Sequence, residues 1–115
     1  MSTLAMILIG LVAALHLWFL LLEMLLWTRP QGLKTFRMTP EKAETTKVLA
    51  ANQGLYNGFL VAGLVYALVT GSREFAVFFL VCVIVAGVFG AATVSRRILM
   101  IQALPALLAL IAVLL

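Results

Sequence analysis

Residues 4–27 read LAMILIGLVAALHLWFLLLEMLLW, and this stretch decides what kind of molecule the chain builds. A helix drawn through it is apolar on every side, with His16 and Glu23 as its polar interruptions. It is also long enough to cross a hydrocarbon core about 30 Å thick, which takes roughly 20 apolar residues. Its length, and the lack of any Lys or Arg before Arg29, set it apart from a secretory signal with its basic start and short core. Three further stretches of the same kind follow at about Val48–Thr70, Phe75–Val94 and Ile98–Leu115.

Composition agrees with that reading. Of 115 residues, 65% are apolar and 10% charged, with a mean hydropathy of +1.21. A soluble domain carries about 25% charged residues, so this chain takes lipid as its solvent. Backbone groups facing lipid must be satisfied within their own segment, which selects helices over open strands. The expectation is an all-α integral membrane protein, a four-helix transmembrane bundle forming a single domain over residues 1–115. Its helices fall at about 4–27, 40–70, 75–94 and 98–115, with a basic cytoplasmic connection at 28–47.

Local signals punctuate these spans. Arg29-Pro30-Gln31-Gly32 is expected to end the first helix, since Pro lacks a donor and Gly permits a turn. Thr39-Pro40-Glu41 reads as a restart, with Thr39 as N-cap, Pro40 at the first helical position and Glu41 near the positive helix end. Gly71-Ser72-Arg73-Glu74 and Ser95-Arg96-Arg97 are short turns. Gly54 with Gly58, and Ala86 with Gly90, are small residues at a spacing suited to close helix packing, and Pro105 predicts a kink. No internal repeat, low-complexity tract or second domain is evident.

The cations set an orientation. Arg29, Lys34, Arg37, Lys42 and Lys47 share one side with Arg96 and Arg97, and Arg73 stands alone on the other. Under the positive-inside rule this seven-to-one split places both termini outside the cytoplasm. Contact of the basic connection with anionic headgroups would add to that role. No fold or aromatic interleaving supports nucleic-acid binding. Cys82 is alone, so it forms no internal disulfide and no Cys-rich metal site, and reads as a small buried hydrophobe.

The polar residues inside the spans carry the functional question. His16 and Glu23 are seven apart, two turns, and so share one helix face, with Trp27 one turn further on. Asn52, Gln53, Tyr56 and Asn57 form a broad polar face on the second span, and Gln102 lies in the fourth. With Trp27 and Val48 as the membrane edges, Glu23, Asn52 and Gln102 lie near 6 Å deep, and His16, Tyr56 and Asn57 form a deeper layer. These residues predict a polar cavity open towards Arg96, Arg97 and the basic connection. A carboxylate facing lipid costs several kcal/mol, so Glu23 should face the interior, where a bond to Asn52 or Gln102 is its plainer explanation. Asn52, Gln53 and Asn57 can also be simple bridges between helices, and Trp27 an interfacial anchor.

His16, Glu23 and Trp27, a basic connection containing Phe36, and the run Asn52-Gln53-Gly54-Leu55-Tyr56-Asn57-Gly58-Phe59 together resemble the bacterial membrane family called domain of unknown function 1304. The resemblance covers essentially the whole chain. It implies four helices in a bacterial inner (cytoplasmic) membrane and no established reaction or cofactor. Small multidrug resistance transporters are similar in length and in carrying a Glu in the first helix, though their weak charge bias differs from the split here. The membrane-associated eicosanoid and glutathione enzymes are similar in topology, but the Arg and Glu of their second-helix motif find no match in Val48–Phe59.

The expected function is binding of a small, largely apolar molecule in the cytoplasmic half of the bundle. As an enzyme the protein would use Glu23 and His16 as acid and base, with Trp27, Asn52, Gln53, Tyr56, Asn57 and Gln102 around the ligand and Arg96 and Arg97 at the rim. As a transporter it would use Glu23 as a proton carrier. As an assembly subunit it would use every polar contact as helix glue. The lipid bilayer is the one partner implied outright; a lipophilic ligand and homo-oligomer formation stay open, and no metal ligand set is visible.

Overall fold

The chain forms helices wherever its apolar runs are long and breaks where Pro, Gly and the capping hydroxyls fall. The computed structural model describes residues 1–115, with α1 at Thr3–Met24, α2 at Pro30–Phe36, α3 at Pro40–Thr70 and α4 at Arg73–Thr93. A last helix opens with a π-helical turn over Leu99–Ala103 and continues as α5 over Leu104–Leu114. Ser2, Thr39 and Ser72 cap α1, α3 and α4, each hydroxyl accepting a backbone N–H three residues on, from Ala5, Lys42 and Phe75 at 3.1, 3.2 and 3.2 Å. Gly71 turns the chain between α3 and α4 with a φ of +67°, a conformation open to a residue without Cβ.

Burial identifies the solvent. Helices α1, α3 and α4 are long and apolar enough to cross a membrane, and Leu99–Leu114 is a shorter apolar helix. Only 28, 28 and 22% of the apolar windows of the three long helices are buried inside the protein. Large side chains such as Phe78, Val85 and Phe89 point outward, whereas Ala5, Ala67, Ala76, Ala106 and Ala109 are fully buried. So many large apolar side chains facing outward, over a core in which Ala is the commonest residue beside Ile9, Leu22, Leu64 and Leu80, would be a liability in water and suit lipid, where close backbone approach drives helix association. The protein is an all-α, multi-pass membrane protein.

Contacts divide the chain into two compact units, Leu15–Val61 and the combination of Met1–Ala14 with Ala62–Leu115. In the first, the C-terminal part of α1 lies antiparallel to α3. A Cβ on Gly54 would come 2.5 Å from Met24 Cγ and 3.3 Å from the Leu20 carbonyl oxygen, and one on Gly58 would come 3.1 Å from Leu20 Cδ1. The Gly54/Gly58 pair is therefore a close-approach surface against Leu20–Met24. In the second unit, Gly63 of α3 lies under the Phe79 ring and Gly87 of α4 lies against the Ala103 backbone, with 2.8 Å from its would-be Cβ to Ala103 N.

Three local expectations change. Helix α1 ends at Met24, and Pro30 opens α2 as its first residue instead of merely closing the first helix. Pro disfavours helical geometry at the residue before it, and Arg29 is accordingly extended (φ −86°, ψ 164°), so the break falls upstream and the fixed φ of Pro30 starts a new helix. On α4 it is Gly87, in phase with buried Ala76, Leu80 and Val83, that makes the closest approach, while Ala86 is exposed; Gly90 does pack, against Ile98. Finally, the irregularity at Pro105 is a widened turn just before it. Pro105 offers no N–H to the Ile101 carbonyl, and the Leu104 N–H reaches five residues back to Leu99 O, accommodating one extra residue in the turn.

Candidate functional site

Glu23 is the one Asp, Glu, Lys or Arg between Ser2 and Thr28, and none falls between Val48 and Thr70 on α3. It lies one residue before the end of α1 and is half-buried. Antiparallel packing of α1 on α3, set by Gly54 and Gly58, brings Asn57 across from it. Asn57 is 7% exposed and its Nδ2–H donates to Glu23 Oε1. A carboxyl group has two oxygens and about four lone-pair directions, so this bond orients Glu23 while leaving Oε2 able to carry a proton or meet a second group.

His16, two turns earlier on α1, is fully buried, its ring edge-on to Phe19 with centroids 5.2 Å apart. At the other end of the stripe, Trp27 ties the first connection together. Its Nε1–H donates to Thr46 Oγ1 at 3.1 Å, and its ring lies 4.8 Å from that of Phe36. Thr46 Oγ1 in turn donates to the Lys42 carbonyl at 2.7 Å, which directs its lone pairs towards the indole. Gly32 completes the junction: a Cβ there would lie 2.2 Å from the Leu26 carbonyl oxygen and 2.6 Å from that of Trp27. The end of α1, the whole of α2 and the first turns of α3 thus form one packed corner.

The remaining expected site residues are distributed differently. Asn52, Gln53 and Tyr56 are exposed, with Tyr56 at 59% and its ring 5.4 Å from Phe59. Asn57, rather than Asn52, meets Glu23. Gln102 is half-buried within the π-helical turn, and Arg96 and Arg97 are exposed in the turn before it; all three belong to the other compact unit. Grooves of about 500, 470 and 430 Å³ run along α4 beside Val77, Phe78, Val81 and Val85, apart from these residues. They are shallow apolar surface of the kind that lipid chains cover.

The sequence does not single out Thr46, and it marks Gly32 only as a turn residue. Thr46 lies among other polar residues of the connection, and only the fold of the corner gives it the indole as a partner. A Gly two residues after Pro30 reads as a turn signal, whereas its use is to let α2 touch the end of α1.

Residues 10–114 match the family described as Protein of unknown function (DUF1304). The uncharacterized protein YpaA of Lactococcus lactis subsp. lactis (strain IL1403) is 31% identical over 114 residues, which cover 95% of this chain and 96% of that protein. No solved structure matches the chain.

Proposed function

Since this chain belongs to the DUF1304 family, whose description names no activity, we propose from its own residues that it binds a small lipophilic molecule at Glu23 and Asn57, with Glu23 exchanging a proton. The observation behind this reading is the bond from Asn57 to Glu23, the one charged residue in residues 3–27 of α1 and its end and 48–70 of α3. If the pair served only to join α1 to α3, a carboxyl group would be a poor choice. Polar bonds between membrane helices average about 0.6 kcal/mol, which a neutral amide at position 23 would supply without the cost of placing an ionisable group in lipid. What a carboxyl adds is reversible proton binding. His16, deeper on the same helix, is the second group able to take part in acid and base chemistry, and Trp27 stands between Glu23 and the basic connection.

The proposed setting is a bacterial cytoplasmic membrane crossed four times, with both termini outside and the connection at 28–47 inside. Residues 98–115 amount to about 27 Å of helix, close to a full crossing, and Arg96 and Arg97 can extend their heads to the headgroup level. The site then lies in the cytoplasmic half. An enzyme would turn its ligand over there, and a transporter would move the ligand against a proton; accumulation inside sealed vesicles separates the two.

The assembly-subunit reading draws on a different observation, the exposure of Asn52, Gln53 and Tyr56 on α3, where a partner helix could take up their hydrogen bonds. The binding reading is tested with a lipophilic cation, tetraphenylphosphonium, added to the protein in lipid nanodiscs at several pH values. Binding accompanied by proton release, and its loss in Glu23→Gln, support it. Equal binding to both proteins without proton release favours the assembly subunit.

A further inference from the structure

The corner that joins α1 to α3 carries a charge pattern that neither the Glu23 site nor helix packing uses. From Leu25 to Pro40 there are three cations, Arg29, Lys34 and Arg37, and no acidic residue. All three are exposed. Further along, Glu41 and Glu44 balance Lys42 and Lys47, the last paired with Glu44, so the net positive charge of the connection rests on α2 and its two ends. The corner is also held in place, by Gly32 against the Leu26 and Trp27 carbonyls and by Trp27 on Phe36 and Thr46. Phe36, 39% exposed, puts an aromatic edge beside these cations at the end of a membrane-spanning helix.

Arg37 supplies a second, independent observation. It is the only non-glycine residue with positive φ in the chain (φ 52°, ψ 50°), closing α2 with its N–H on the Leu33 carbonyl. Gly is the usual residue at such a helix end because an L side chain is strained in the left-handed region. A folding requirement alone would therefore favour Gly here, and a guanidinium in its place points to use of its charge and its forked donors, which suit phosphate oxygens.

We propose that α2 and its flanking residues form a binding site for the phosphate headgroup of anionic phospholipid, with Arg29, Lys34 and Arg37 on the phosphate and Trp27 and Phe36 at the level where headgroup meets acyl chain. Aromatic rings favour that level, and a basic segment beside a membrane helix is attracted to anionic lipid. A rigid corner sacrifices little freedom when it binds, which separates this site from a loose basic loop. The site stands independently of the role of Glu23.

The test uses the full chain in micelles of a neutral detergent, with fluorescent phosphatidylglycerol and phosphatidylcholine as probes. Each cation near an anionic surface contributes about a fivefold gain in attachment, so the triple variant Arg29→Gln, Lys34→Gln, Arg37→Gln should lose affinity for phosphatidylglycerol by about 100-fold. Arg37→Gly should lose about fivefold while its melting temperature without lipid stays level or rises, which keeps the test free of folding defects. Affinity for phosphatidylcholine should be weaker than for phosphatidylglycerol and unchanged in both variants. Equal affinity for the two lipids, or full retention of phosphatidylglycerol by Arg37→Gly and the triple variant, overturns the proposal. So does displacement of bound phosphatidylglycerol by inorganic phosphate, which would make the corner a site for small anions.

Discussion

The Asn57 side chain donates its Nδ2–H to Glu23 Oε1 across the α1 and α3 interface, at the height where Gly54 and Gly58 let the two helices touch. The bond and the close approach depend on each other, because a short amide reaches a carboxyl group on the facing helix only when no Cβ holds the backbones apart.

Removing one partner should cost more than changing its charge. Asn57→Leu leaves the carboxyl without its donor and should destabilise the protein by about 1–3 kcal/mol, whereas Glu23→Gln keeps an acceptor for Asn57 and should stay within about 1 kcal/mol of the parent. Denaturation in mixed micelles followed by circular dichroism measures both. A Glu23→Gln loss as large as that of Asn57→Leu would mean that the carboxylate itself holds the helices together.

Glycine substitutions test the interface from the other side. Gly54→Ala sets a methyl group 2.5 Å from Met24 Cγ and close to the Leu20 carbonyl, and should destabilise by about 1–3 kcal/mol through overpacking. Gly10→Ala has open space around it and should be neutral or gain up to about 1 kcal/mol from helix propensity. The comparison is informative because both are single added methyl groups within apolar helices.

The corner at Trp27 predicts a proteolysis pattern. Trp27→Phe loses the bond to Thr46, worth about 1 kcal/mol, and Gly32→Ala forces α2 away from the Leu26 carbonyl. Both variants should be cut by trypsin at Lys34 or Arg37 faster than the parent protein, Arg29 being shielded by the Pro that follows it. Unchanged cleavage rates would show that the corner is not held by these contacts.

Much of this architecture was legible in residues of strong local character. The run at 4–27 announces a membrane helix by itself, and the hydroxyls of Thr39 and Ser72 mark helix starts because an N-cap needs only local geometry. The pairing of Glu23 was less accessible. Matching depths from Trp27 and Val48 put it beside Asn52, whereas Gly54 meets Met24 and Gly58 meets Leu20, a register that sets Trp27 opposite residue 51 and moves the alignment by almost one turn. Register is set by which small residues meet which side chains, and hydropathy does not carry that information. Similarly, Ala86 and Gly87 are both small, and only the helical phase shared with Leu80 and Val83 selects Gly87. Asn52, Gln53, Tyr56 and Asn57 read as one polar face because adjacent helical positions span a wide arc; in the fold Asn57 turns inward and the other three outward.

The seven-to-one division of cations predicts a single orientation. With Cys82 replaced by Ala, a thiol placed at Ser2 should react with an impermeant reagent outside intact cells, and one placed at Thr35 should react only after the cells are opened. Equal labelling of both in intact cells would point to two orientations.

The most direct test of Glu23 as a proton-exchanging group within reach of lipophilic molecules is its reaction with dicyclohexylcarbodiimide, a small apolar reagent that adds to a protonated carboxyl group. With the protein in lipid nanodiscs and adducts located by mass spectrometry, the predicted result is one membrane-embedded adduct, at Glu23, forming more slowly as pH rises and after prior addition of tetraphenylphosphonium. A folded protein in which Glu23 stays unmodified at every pH would contradict the proposed function and leave the bond to Asn57 as a sealed structural contact.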